Sequence, residues 1–267
     1  MPTFRWTILV AAVLATTRAE AVVVYQNDFN AQTSLNGFTF GATAGGQPPT
    51  SVDLTSGQLR IVLGTGLPNG GYAAVQASAY GTPYSPVLAS NPGLVSWAFN
   101  LSNQDGAFNN EFAVALASTA ADARVFTSSS YVFAGGGYVG NRMGLWRQLG
   151  QAQGGPTYQP IIDITNGLGP LPQKGSFRIT YDPASQGWKL YGVMGTSYVD
   201  PLTVTTLLGS VIDSRLTGIA LPYTSFIGGT TGFDYFDNYT VSVVPEPAAS
   251  LLLAMGAAAF SGMRRRP

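Results

Sequence analysis

The sequence contains no cysteine and no histidine among its 267 residues. Without cysteine there is neither a disulfide framework nor a thiolate metal site. Without histidine, Ser-His-Asp and Cys-His catalytic arrangements are excluded, together with the commonest nitrogen ligand of zinc. Catalysis by this chain would therefore depend on carboxylates, and the fold must be held together mainly by hydrophobic packing.

Charged residues are also scarce, at 10% of the chain against about 25% in an average globular protein. The formal net charge is zero, but five of the 13 basic residues lie in the terminal segments. Residues 22–244 consequently carry eight basic against eleven acidic residues. This stretch offers no clustered basic face for a phosphate backbone, so we expect no nucleic-acid partner.

The first 21 residues have the order of a secretory signal peptide. Arg5 supplies the positive n-region, residues 8–15 form an apolar h-region, and Ala19 and Ala21 give the small-x-small pattern of a cleavage site. The alternative is a buried N-terminal helix. The sequence therefore predicts an N-terminal signal helix that signal peptidase removes after Ala21.

The last residues contain a short apolar run that is stopped by basic residues. Residues 248–263 are uncharged, and a helix of this length falls a little short of a hydrocarbon core of about 30 Å. Arg264, Arg265 and Arg266 follow this run and would stay in the cytoplasm by the positive-inside rule. Pro245 and Pro247 precede it and prevent the helix from continuing outward. This pattern predicts a short C-terminal membrane helix.

Residues 244–267 resemble the PEP-CTERM sorting signal of Gram-negative bacteria. The resemblance comes from Val244, Pro245, Glu246 and Pro247, followed by the apolar run and the arginine cluster. It implies recognition by an exosortase, transient insertion in the inner membrane, and a mature form at the cell surface or in the extracellular matrix. It also implies an association with exopolysaccharide and biofilm formation. A plain C-terminal membrane anchor is the alternative.

The body at residues 22–243 has no long 3.6-residue periodicity, and its short alternating apolar runs are bounded by turn residues. This pattern predicts one all-β domain, an antiparallel two-sheet sandwich, with loops at 41–57 and 150–175. Strands are predicted at residues 22–25, 58–63, 72–78, 94–101, 111–118, 131–135, 143–149 and 233–244, with a hairpin at 177–192.

The predicted hairpin places Phe177, Ile179 and Tyr181 on one face, with a turn that starts at Asp182 and closes at Gly187. The segment "SFRITYDPASQGWKLYG" resembles the hairpin of concanavalin A-like lectin and glucanase domains. The segment "SFIGGTTGFDYFDNYTV" is similar to the closing strands of the same superfamily, in which a glycine-rich approach leads to the last strand. The resemblance implies a concanavalin A-like jelly roll.

The segments "YQNDF" and "YFDNYTV" also resemble carbohydrate-binding jelly rolls, in which acidic residues near the first and last strands share a structural calcium. This resemblance suggests a calcium site with Asp28, Asp234, Asp237 and Asn238 as oxygen ligands. The alternative is that these residues are solvated strand ends and turn formers. No other cofactor is expected.

Glycoside hydrolysis needs two carboxylates that flank the scissile bond. The body has one glutamate, Glu111, and it lacks the Glu-x-Asp-x-Glu spacing of concanavalin-like glucanases. Asp234 and Asp237 are the remaining candidate pair for an unusual hydrolase. We therefore expect a protein that is not an enzyme.

Aromatic residues make up 12% of the chain, and Trp97, Trp146 and Trp188 are candidates for sugar contact. Alternation along their strands favours a core position for Trp97 and Trp188. The favoured function is therefore a structural or adhesive surface protein that is associated with exopolysaccharide. A carbohydrate-binding module and an unusual glycoside hydrolase are the alternatives.

Overall fold

The computed structural model describes residues 20–30, 35, 37–42, 51–63, 70–103, 112–124, 127–136, 139, 142–151, 157–164, 174–228 and 232–246. The predicted signal helix and C-terminal membrane helix lie outside these residues. Within the described ranges, no helix has the length and apolar character needed to cross a membrane.

The strands are β1 (Val22–Asn27), β2 (Phe38–Ala42), β3 (Ser51–Thr55), β4 (Gln58–Leu63), β5 (Gly71–Gln76), β6 (Gly93–Asn103), β7 (Phe112–Ser118), β8 (Ser130–Gly136), β9 (Arg142–Leu149), β10 (Thr157–Asp163), β11 (Lys174–Asp182), β12 (Gly187–Gly195), β13 (Leu207–Ile212), β14 (Tyr223–Gly228) and β15 (Gly232–Pro245). Short 3-10 helices occur at Ala77–Ala79, Leu88–Ser90 and Pro201–Thr203.

These strands form two antiparallel sheets, which confirms the predicted all-β sandwich. The first sheet has eight strands in the order β13-β12-β11-β6-β15-β4-β3, and β1 also pairs with β15. The second has seven strands in the order β10-β9-β8-β7-β14-β5-β2. The long strand β15 is central, because β6 pairs along most of one side while β4 and β1 share the other.

The core lies between the sheets and is built by strand alternation. The hairpin residues Phe177, Ile179 and Tyr181 are all fully buried, as their period-2 spacing predicts. Trp97 and Trp188 are also fully buried, and their rings stack with centroids 5.8 Å apart. Aromatic side chains bury large areas, so these rings supply much of the hydrophobic stabilisation.

Several edge strands were missed by the sequence analysis. The strand β3 lies inside the predicted loop 41–57, and β10 lies inside the predicted loop 150–175. Both are terminal strands of their sheets, as are β2 and β13. Edge strands have one unpaired side, so β10 tolerates Pro160, whose missing N–H would break a central ladder. Proline and half-exposed side chains hide the strand pattern here.

The strand β14 is an internal strand between β7 and β5, in a segment whose glycines had predicted only an approach to the last strand. In the hairpin turn, the left-handed residue is Gln186, with φ 56°, while Gly187 begins β12 opposite Asp182. The turn is therefore placed correctly, but its special backbone conformation falls on the residue before the expected glycine.

A buried ion pair joins the two sheets at one side of the sandwich. Arg147 of β9 pairs with Asp213, which follows β13, and their side chains are only 8% and 9% exposed. The hydroxyl of Tyr131 donates to the Asp213 carboxylate at 2.7 Å, and Trp188 Nε1 donates to the Asp213 carbonyl at 3.1 Å. Burial lowers the pKa of Arg147 and raises the pKa of Tyr131 to about 12. The network thus depends on the negative charge of Asp213.

Candidate functional site

The candidate site is a pocket on the outer face of the eight-stranded sheet, above the β11–β12 hairpin. Its volume is about 170 Å³. The residues that line it come from β6, from the two hairpin strands and from the turn between them: Leu94, Arg178, Thr180, Asp182, Ser185, Gly187, Lys189 and Tyr191. The surface is mixed, with two cations, one carboxylate, two hydroxyls, one aromatic ring and one aliphatic side chain.

The alternation that builds the core also builds the pocket. Because the odd-numbered residues of β11 point into the sandwich, Arg178, Thr180 and Asp182 point outward. Their partners across the ladder continue this outer surface. Arg178 pairs with Tyr191, and Thr180 pairs with Lys189. The outward positions of one hairpin therefore gather the polar residues of the pocket in two neighbouring rows.

Arg178 and Tyr191 contact each other across the β11–β12 ladder on the pocket surface. The guanidinium carbon of Arg178 lies 4.5 Å from the centre of the Tyr191 ring, a cation–π arrangement. The Nε atom of Arg178 is buried and has no hydrogen-bond partner. Lys189 is exposed, and neither it nor Arg178 forms an ion pair with the described part of the chain. The pocket consequently holds two cationic groups that form no ion pair with the described residues.

The carboxylate of the pocket is committed to the hairpin turn. Asp182 accepts hydrogen bonds from the backbone N–H of Ala184 at 3.0 Å and from the hydroxyl of Ser185 at 2.6 Å. It is the one carboxylate among the described residues that line this pocket. The pocket therefore lacks the pair of carboxylates that glycoside hydrolysis requires.

The three tryptophans proposed for sugar contact do not line this pocket. Trp97 and Trp188 are buried between the sheets. Trp146 lies in a second apolar cluster with Ala115 and Val132, where it is 3% exposed, and Arg142 lies over its ring at 5.2 Å. Because all three side chains are buried, they do not form an exposed row of aromatic rings that could contact a sugar.

The residues that do form the pocket were missed, although the hairpin itself was predicted. The signal was present in the sequence, because Arg178, Thr180, Lys189 and Tyr191 occupy the alternate positions of two strands whose other positions are apolar. Assigning the inner face of a hairpin also assigns the residues of its outer face.

The four predicted calcium ligands do not converge on one point. Asp234 faces the interior on the same side of β15 as Phe236, and it is 1% exposed. Asp237 lies on the opposite face and accepts a hydrogen bond from the backbone N–H of Asn238 at 2.7 Å. Burial raises the pKa of Asp237, and the nearby negative charge of Asp28 adds to this increase.

Asp234 is therefore not a ligand of the predicted calcium site, because strand alternation places it on the opposite face of β15 from Asp237. No group of three or more acidic residues close enough to hold a metal occurs in the part of the chain that the structure describes. A calcium ion held by Asp28, Asp237 and Asn238 stays a prediction. The same separation excludes Asp234 and Asp237 as a catalytic pair flanking one bond, and Glu111 lies outside the described residues.

The predicted sorting motif begins inside the last strand. Val244 and Pro245 belong to β15, where Pro245 pairs with Gly93, and the backbone N–H of Glu246 donates to the carbonyl of Pro92 at 3.0 Å. A Cβ atom at Gly93 would collide with the backbone of Val244, so glycine permits this close approach. The sandwich thus extends two residues beyond the predicted boundary at 243.

Other predicted residues of the two terminal signals lie at or beyond the limits of the described structure. Ala21 is exposed and immediately precedes β1. Ala19, Pro247, Arg264, Arg265 and Arg266 lie outside the described residues.

No protein-family model matches this chain, and no curated protein sequence is detectably similar to it. Among solved structures, the chain is similar to the CBM2 module of the evolved Dit of Lactobacillus casei BL23 phage J-1, with a TM-score of 0.48 and 12% identity over 85% of this chain and 98% of that one. A lectin from Bauhinia forficata in complex with GalNAc gives a TM-score of 0.48 and 11% identity over 84% and 98% of the two chains. Metal-free lectin I-B4 from Griffonia simplicifolia gives 0.45 and 12% over 82% and 98%. Similarity at this level assigns neither a family nor a ligand to this chain.

Proposed function

We propose that this protein is an exported, non-enzymatic surface or matrix protein whose β-sandwich binds carbohydrate. The observation that carries the proposal is the pocket above the β11–β12 hairpin, which combines an aromatic ring with hydroxyl and cationic donors. Ligand pockets commonly pair apolar surface with a few polar groups that fix orientation. We also propose that the sandwich is related to concanavalin A-like domains.

The pocket chemistry suits a saccharide better than an apolar ligand. Thr180 supplies a hydroxyl that can donate and accept, and Ser185, whose proton is donated to Asp182, supplies an acceptor. Arg178 and Lys189 supply donors only. Tyr191 and Leu94 supply apolar contact area for a sugar ring. The site also lies on the outer face of a sheet, where a polymer can pass without entering a closed cavity.

The export part of the proposal rests on the two terminal segments. The sandwich begins at Val22, directly after the predicted cleavage site, and its last strand ends at Pro245, within the predicted sorting motif and separated by two residues from the apolar run. Val22 pairs with Val243, so both segments leave the sandwich at the same end. This arrangement lets both terminal segments reach the same membrane face, as sorting through a PEP-CTERM signal requires. The position of the body outside the inner membrane and its exopolysaccharide environment belong to the proposal.

Binding of the full-length chain to an array of polysaccharides tests the carbohydrate part. We expect binding to at least one polymer, and we expect Tyr191→Ala to lower the affinity about tenfold, because it removes the aromatic surface and the support of Arg178. Tyr191→Phe keeps the ring and serves as the matched control. Absence of binding across the array, or equal binding by Tyr191→Ala, would contradict the proposal.

Mass spectrometry of the protein from its host tests the export part. We expect a mature N-terminus at Val22 and loss of the residues after the Pro245–Pro247 motif, with the C-terminus left intact when the exosortase is deleted. Replacing Arg264, Arg265 and Arg266 with alanine should also prevent normal C-terminal processing. A full-length, uncut polypeptide in the cytosol is the result that this proposal does not allow.

A further inference from the structure

The cationic groups of the pocket identify the class of saccharide that fits it. Arg178 and Lys189 lie diagonally across the β11–β12 ladder. The Cα atoms of such diagonal neighbours are roughly 7–8 Å apart. Arg178 is partly exposed while its Nε atom is buried without a hydrogen-bond partner, so a ligand would meet the guanidinium at its other nitrogens. A ligand that carries one negative group would offset the excess positive charge of the lining.

The acidic residue of the pocket does not already perform this role. Asp182 accepts hydrogen bonds from Ala184 and Ser185 in the turn, which occupies its carboxylate with local donors. The described lining therefore keeps an excess of one positive charge. This excess contrasts with residues 22–244 as a whole, where acidic residues outnumber basic ones by eleven to eight. The overall charge does not attract an acidic polymer, so attraction would have to arise at the pocket.

We infer that the saccharide bound by this pocket is acidic, and that Arg178 and Lys189 hold its carboxylate group. This inference rests on the carbohydrate binding proposed above. A planar guanidinium matches the geometry of a carboxylate, with two parallel N–H donors. Stacking on Tyr191 uses a face of the guanidinium, so its in-plane donors stay available. Thr180 and Ser185 then contact the sugar hydroxyls beside the carboxylate.

The test compares polygalacturonate with its methyl ester, which has the same backbone but no charge. Using the immobilised full-length chain, we expect polygalacturonate to bind at least about tenfold more tightly at low salt. The difference should disappear in about 1 M sodium chloride, where the screening length is about 3 Å. Dextran sulfate reports attraction to polyanions in general, and it should bind more weakly than polygalacturonate.

Two substitutions locate the effect. Lys189→Gln and Arg178→Gln should each lower the affinity for polygalacturonate about tenfold, and each should lower binding of the methyl ester much less, because the ester loses donors but no charge attraction. Lys189 is exposed, so its substitution leaves the fold intact. Arg215→Gln removes the same charge from an exposed turn that does not line the pocket, and it should have no effect.

The failure of this inference differs from the failure of the proposed function. Equal binding of the two polymers, equal losses in Lys189→Gln and Arg215→Gln, or preference for dextran sulfate would overturn the carboxylate assignment. If neither polymer binds while neutral glycans of the array do, the inference alone falls. If no polymer of either kind binds, carbohydrate binding itself is wrong.

Discussion

Replacing Asp213 with asparagine should lower the free energy of unfolding by about 3–5 kcal/mol, because the change leaves the buried Arg147 without its counter-charge. The shape of the side chain and an acceptor for the hydroxyl of Tyr131 are retained, so the loss reports the charge. Urea denaturation followed by circular dichroism measures it. The loss is large compared with the roughly 5–15 kcal/mol by which a domain is stable.

The matched control is Asp163→Asn, which removes one partner of the ion pair with Arg142. That pair lies at the surface, with side chains 29% and 45% exposed, so its loss should cost less than about 1 kcal/mol. The double substitution Arg147→Met with Asp213→Asn should recover part of the stability, because no unpaired buried charge remains. Similar losses for Asp213→Asn and Asp163→Asn would show that the buried pair does not hold the two sheets together.

Replacing Trp188 with alanine should cost about 3–5 kcal/mol of unfolding free energy, because it removes the largest kind of buried side chain and leaves a cavity. The ring of Trp188 contacts those of Trp97, Tyr131 and Tyr181, at centroid distances of 5.8, 4.3 and 4.8 Å. The substitution therefore removes three ring contacts and the hydrogen bond to the carbonyl of Asp213. Denaturant unfolding gives the measurement.

Two controls separate packing from sugar contact. Leu207→Ala changes a residue of the edge strand β13 that is 53% exposed, and it should alter stability by less than about 0.5 kcal/mol. Trp188→Phe keeps part of the ring volume and should cost less than Trp188→Ala. A Trp188→Ala protein with unchanged stability and lost sugar binding would restore Trp188 as a ligand residue and refute its role in the core.

The strand faces could be predicted from neighbouring residues in the sequence, whereas the edge strands depend on segments that are far apart in the chain. The inward positions Phe177, Ile179 and Tyr181 were predicted correctly, because alternation along one strand is a local property. The edge strands β3 and β10 were missed, because an edge strand is defined by its neighbours in the sheet. The calcium set failed at Asp234 for a different reason, which is local: Asp234 and Asp237 are three residues apart and therefore occupy opposite faces of β15.

The amino-acid sequence by itself determined the class of the fold and the exclusion of cysteine and histidine chemistry, since composition and alternation can be read locally. The two terminal sorting signals stay predictions. Only the tertiary structure decided which distant residues meet. It placed Leu94 beside the outer row of the hairpin, Arg147 against Asp213, and the three tryptophans away from the pocket. The physical reason is that strand pairing and sheet stacking depend on contacts between segments far apart in the chain, and local patterns do not specify these contacts.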